Sequence, residues 1–135
     1  MLIVDTNVVA YLLIEGHYTA AARSLHRRDD DGRSEAFIMV EFTHVLTASI
    51  AARRMNLVLA HQFLADATSI LHGKLTSLPH DSVLSLAVQY RVTAYDARFL
   101  ALANQLGSRL VTEDAKLRAA APELTQSLNE AVASV

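Results

Sequence analysis

The sequence predicts an α/β fold built on a short, mostly parallel sheet with helices on both faces. Three observations predict it. Apolar stretches of strand length alternate with longer stretches of helical period, the pattern of parallel sheets covered on both sides. Punctuation is sparse, with 4 Gly and 2 Pro among 135 residues, which suits a helix-rich chain with short connections. Apolar residues make up 52% of the chain, enough to exclude disorder and to build one substantial core, so residues 1–135 read as one domain.

Taken in order, the strand candidates are Leu2-Ile3-Val4, Phe37-Ile38-Met39, Leu75 to Leu78 and Arg109 to Val111. Helical period runs through Thr19 to Arg27, Val40 to Met55, Leu57 to Leu71, Asp81 to Tyr90, Ala94 to Leu106 and Ala115 to Ala121. His80 or Asp81 is a candidate cap after Pro79, and Gly107 a candidate stop for the helix before it. His26 to Glu35, HRRDDDGRSE, reads as the longest loop. After Pro122 the pattern is ambiguous: Leu124-Thr125 suits a last short strand, and Ser127 to Val135 a helix or a frayed end.

Several classes fall away on composition. The chain has no cysteine, hence no disulfide framework and no thiolate metal site, which suits a reducing cytoplasm. Its longest purely apolar run, Val8 to Ile14, is far short of a membrane span, and Asp5 breaks the apolar N-terminus, so no signal peptide is expected. A net charge of −2 excludes a protein that coats nucleic acid by bulk charge. Neither GxGxxG nor GxxxxGK[ST] occurs, so no glycine-loop nucleotide cofactor is expected.

The opening stretch MLIVDTNVVAYLLI carries a chemical puzzle. Asp5 sits in a run built for the core, and a lone buried carboxylate is costly unless paired or bound to a cation. Three further acids share its setting. Glu41 lies on a helix face with Val45 and Ala48, and Asp96 on one with Phe99, Leu100 and Ala103. Asp114 follows Arg109 to Thr112 and precedes Leu117. Ligands of open parallel sheets sit beyond the carboxyl ends of the strands, and such a fold could gather these four acids at that edge.

Helix capping explains any one of the four, since acids are favoured in first turns. It does not explain why all four lie on or beside apolar faces. Two carboxylates about 4 Å apart repel by about 4 kcal/mol at an effective dielectric near 20. A cluster of four therefore calls for protons or cations, and Mg²⁺ or Mn²⁺ suit carboxylate oxygens. Zinc fits less well, because the six His are scattered with no HExxH.

These motifs also carry a resemblance. VDTN at 4–7, VEF at 40–42, TAYDARFLALA at 93–103 and LVTED at 110–114 resemble the PIN-domain ribonucleases. With its small size, the chain is similar to the VapC-type toxins of type II toxin–antitoxin pairs. The resemblance spans residues 1 to about 118 and departs nowhere from the acidic pattern. It implies a three-layer α/β/α sandwich and a metal site of Asp5, Glu41, Asp96 and Asp114, supported by Thr6, Asn7 and Thr112. It further implies one or two Mg²⁺ or Mn²⁺ ions and endoribonuclease activity on structured RNA such as tRNA or rRNA. The products would carry a 5′-phosphate and a 3′-hydroxyl. A homodimer and a cognate antitoxin protein are implied as well. Two other readings stay open: a catalytically silent PIN-like module that binds RNA or protein, and a housekeeping RNA-processing nuclease.

Other features read as bland. Asp29-Asp30-Asp31-Gly32 lacks the alternating acids of a calcium loop and reads as a solvated loop. Asp81 reads as a helix cap, Glu113 as exposed, His44 as a partly buried structural histidine and Tyr95 as core packing. Leu57 to Leu71 reads as a core stripe. Arg53, Arg54, Arg91, Arg98 and Lys116 are candidate phosphate contacts, with solvated or partner-contact roles equally open.

Overall fold

The computed structural model describes residues 1–135. Its strands are β1 (Leu2–Val4), β2 (Gly32–Glu35), β3 (Leu75–Thr76), β4 (Leu110–Val111) and β5 (Thr125–Gln126). They form one sheet in the order β3-β2-β1-β4-β5, and every pairing is parallel. The helices are α1 (Thr6–Leu13), α2 (Thr19–Arg28), α3 (Ile38–Ala51), α4 (Leu57–Ile70), α5 (His80–Tyr90), α6 (Ala94–Leu106), α7 (Ala115–Ala120) and α8 (Leu128–Ser134), with a 3₁₀ turn at Pro122–Leu124. The expected α/β architecture, a parallel sheet flanked by helices, is therefore present.

The sheet grows outward from β1 to β2 and β3, and then the chain returns to the other side of β1 to add β4 and β5. The strand order thus reverses at β1. Beyond the carboxyl ends of β1 and β4 lies the crevice such a reversal creates. Parallel pairing demands a crossover after each strand, so helices that follow strands begin at this same edge. The amino ends of α1, α3 and α7 arrive there in that way, and α6, which leads back into β4, begins there too.

α6 lies across β1, β2 and β4, with α5 packed behind it. Its sequence explains that position: Ala97, Ala101 and Ala103 are small enough to bring the helix close to the sheet, while Phe99, Leu100 and Leu102 fill the core. Thr93 caps its start by accepting from the Asp96 N–H at 3.1 Å, and Gly107, at φ 63°, ends it in the left-handed region that favours glycine. Among the other helices, α1, α2, α3 and α4 pack with one another and α8 packs on α2. No helix is long and apolar enough to cross a membrane.

The strand expected at Phe37-Ile38-Met39 is instead the start of α3, and β2 lies inside the expected loop, at Gly32–Glu35. An apolar run of that length is ambiguous between buried strand and helix. The true strand, GRSE, is hidden from a hydrophobic reading because its inward residues are polar and satisfied. Ser34 Oγ donates to the Val4 carbonyl at 2.7 Å, and buried Glu35 accepts from the Phe37 N–H at 3.0 Å. The acidic run before it is also structured: Asp29 accepts from the Met1 ammonium group at 2.8 Å, and the Leu2 N–H donates to the Asp31 carbonyl. Helix α1 follows β1 directly, with Asp5 as its cap.

Smaller departures have equally local causes. α5 begins after Pro79 with no side-chain cap, so neither His80 nor Asp81 caps it. Glu113 is not exposed: it accepts from the Leu128 N–H at 2.8 Å, fastening α8 to the end of β4. Leu57, Val58 and Leu59 are exposed, leaving Ala60 and Ala67 as the buried positions of α4. The tail resolves into β5 and α8, with a capping box between Ser127 and Glu130.

Candidate active site

At the carboxyl edge of the sheet, a cleft of about 140 Å³ is lined by Asp5, Thr6, Asn7, Glu41, His44, Val45, Asp96, Phe99, Asp114 and Leu117. All four acids singled out in the sequence line it, together with Thr6 and Asn7. No Lys or Arg does. Four helix starts supply the acids. Asp5 caps α1 by accepting from the Val8 N–H at 3.1 Å. Asp114 caps α7, its Oδ1 accepting from the N–H groups of Lys116 and Leu117 at 3.0 and 3.1 Å. Glu41 and Asp96 stand in the first turns of α3 and α6.

Capping and convergence are thus both true, and the first helps to bring about the second. A helix amino end favours a carboxylate in its first turn. Four such ends meeting at one crevice accumulate more negative charge than the local caps require.

The supporting threonines act on named atoms. Thr6 Oγ1 donates to Glu41 Oε1 at 2.7 Å, tying α1 to α3. Fully buried Thr112 accepts from the Asp114 N–H at 3.1 Å and sits against Asp5. Asn7 is exposed at the cleft with no side-chain bond to the acids. His44, expected as a partly buried structural residue, is exposed and lines the cleft one turn beyond Glu41.

Electrostatics register the crowding. Burial raises the Asp5 carboxyl from 3.8 to about 6, with Glu41 and Asp114 adding to the rise while Thr112 and the Val8 amide oppose it. Asp96 is also raised, by burial first and then by Asp114. Both carboxylates are held where ionisation is penalised, and no protein cation relieves them.

The donor set therefore fits a hard divalent cation: carboxylate oxygens from four elements, no thiolate and one nearby imidazole. No three of the side chains converge tightly enough to ligate one ion among themselves. A cation here would therefore be held partly through its own waters.

The remaining candidates are placed elsewhere. Arg98 pairs with Glu35 at 3.7 Å and is structural. Arg53 and Arg91 follow α3 and α5 in left-handed conformations and are exposed. The main acid overlooked in the sequence is Glu35, 1% exposed. Its signal was an acid bracketed by a polar stretch, which hydrophobic periodicity does not flag.

A doubly flanked parallel sheet with an acid-lined cleft at its strand-order reversal defines the class: an α/β domain with a site suited to divalent cations. The chain belongs to the PIN-domain family, whose model matches residues 2–122. PIN domains are in general metal-dependent nucleases, and nuclease chemistry is what membership suggests. In fold the chain is similar to the crystal structure of PAE2754 from Pyrobaculum aerophilum, with a TM-score of 0.79 over 98% of this chain and 94% of that one, at 22% sequence identity. No curated protein matches the sequence significantly.

Proposed function

We propose that this PIN domain is a Mg²⁺- or Mn²⁺-dependent endoribonuclease, the toxin of a VapC-type toxin–antitoxin pair, acting on structured RNA such as tRNA or rRNA. The observation that carries the nuclease reading is the four-acid cleft without a compensating cation. The VapC-type role rests on the motif resemblance and the small size of the chain. A homodimer and a cognate antitoxin protein belong to the same reading.

Asp5, Asp96 and Asp114 would hold the cation, with Glu41 joining directly or through water. A bound divalent ion supplies neutralisation of the phosphodiester and activation of a water for in-line attack. The chain does the positioning. Thr6 fixes the Glu41 carboxylate by holding Oε1. Thr112 holds the Asp114 backbone and steadies Asp5. Asp114 commits Oδ1 to the α7 amides, which leaves Oδ2 without a hydrogen-bond partner. Asn7, exposed at the rim, is available to orient waters around the ion.

End-mapped cleavage of total cellular RNA tests this, with Mg²⁺, Mn²⁺ and EDTA arms and an Asp96→Asn variant. Discrete cuts that require both the metal and Asp96 are expected. Cuts that persist unchanged in Asp96→Asn would refute the site. No cuts in any arm, from folded protein, would favour the silent RNA- or protein-binding module.

A further inference from the structure

Beside the cleft stands a rigid aromatic stack. Tyr95 was expected in the core but is 60% exposed, and its ring lies on Phe37 at 5.4 Å between centroids and 12° between planes. Phe37 is the residue before α3, and Tyr95 directly precedes Asp96. The stack therefore joins the two helix starts that bring Glu41 and Asp96 to the cleft.

The stack is pinned from beneath. Arg98 lies 5.6 Å from the Phe37 ring centroid, approaches Glu35 at 3.7 Å and meets His80 Nδ1 at 3.2 Å. Buried Glu35 also accepts from the Phe37 N–H at 3.0 Å, so one carboxylate fixes both the arginine and the backbone of the ring above it. One face of Tyr95 is covered by Phe37, and its exposure leaves the other to solvent. A ring covered on one face presents the other as a flat π surface on which a planar ligand can stack.

We propose that Tyr95 is a substrate-positioning residue: its free face stacks an unpaired nucleobase of the RNA whose phosphate enters the four-acid cleft. The proposal rests on the nuclease reading above. A nucleobase is favoured as occupant because the platform is a flat π surface and is continuous through Asp96 with the site expected to take a phosphodiester. Stacking tolerates any base, so this contact selects single-stranded or splayed-out nucleotides rather than a sequence.

The test is binding of short single-stranded RNAs carrying 2-aminopurine, read by anisotropy and by base-fluorescence quenching, with RNA intactness checked on gels. Wild type is compared with Tyr95→Phe, Tyr95→Leu and Tyr95→Ala, and each fold is verified by melting. Tyr95→Phe is expected to keep affinity and quenching. Tyr95→Leu and Tyr95→Ala are expected to lose quenching and to bind roughly 5- to 150-fold more weakly. If the Leu and Ala variants match wild type in both readouts, or if wild type binds without quenching, the proposal is overturned and the nuclease reading survives. If wild type binds none of these RNAs, the proposal is overturned, and the nuclease reading is decided by the cleavage of total RNA described above.

Discussion

Asp5→Asn is expected to make the metal-free protein more stable while destroying its proposed activity. The wild-type carboxyl is raised from 3.8 to about 6, chiefly by burial. The folded state therefore binds the proton more tightly than the unfolded chain does. Stability is highest below about pH 4, falls as pH rises through about 6, and is flat above that. The displacement corresponds to about 3 kcal/mol of destabilisation near neutral pH. Asn caps a helix as well as Asp does, so the bond from the Val8 N–H at 3.1 Å is retained. Its NH₂ also places a donor where a carboxylate faced Glu41 and Asp114.

Allowing for imperfect pairing of that amide, a net gain of about 2 kcal/mol is expected, or a rise in Tm of about 6–10 °C for a chain of this size. The assay is urea and thermal unfolding in EDTA from about pH 4 to 8. The variant should be about 1 kcal/mol less stable than wild type at the acid end and overtake it across the window between about pH 4 and 6. Adding Mn²⁺ should then stabilise wild type and leave the variant nearly unmoved, since a ligand that binds only the folded state raises its stability. Parallel pH curves, or an Asn variant less stable than wild type near pH 7, would refute the reasoning that Asp5 is a buried, uncompensated charge.

Three further perturbations separate the site from its scaffold. Thr6→Val removes the 2.7 Å bond to Glu41 Oε1 and should cost about 1–2 kcal/mol, with a weakened Mn²⁺ affinity by calorimetric titration; unchanged affinity would mean that Glu41 needs no positioning. Glu35→Ala strands the Phe37 N–H and a largely buried Arg98, and should cost about 2–4 kcal/mol in urea unfolding. Asp29→Ala, which breaks the exposed pair with the N-terminus, should cost at most about 1 kcal/mol; equal losses would contradict the burial argument.

The four acids were legible because each combined a polar residue with an apolar helical face, and that conjunction is local. β1, β4 and helices α2 to α7 were legible for a related reason: their periodicity is carried by apolar residues that repeat within a few positions. β2 was not, because GRSE satisfies its buried polar atoms through Val4, Phe37 and Arg98, partners that the strand's own composition does not reveal. Nor was α1, whose β-branched start depends on Asp5 turning the chain out of β1.

By itself the sequence determined the class of fold and the four acids that line the cleft, since these follow from residue type and short-range spacing. Only the tertiary structure decided that strand order reverses at β1, that four helix starts therefore meet at one edge, and that Tyr95 faces solvent while Glu35 is enclosed. Those outcomes depend on contacts between segments distant in sequence, where the burial of a residue is set by what packs against it rather than by its own hydrophobicity.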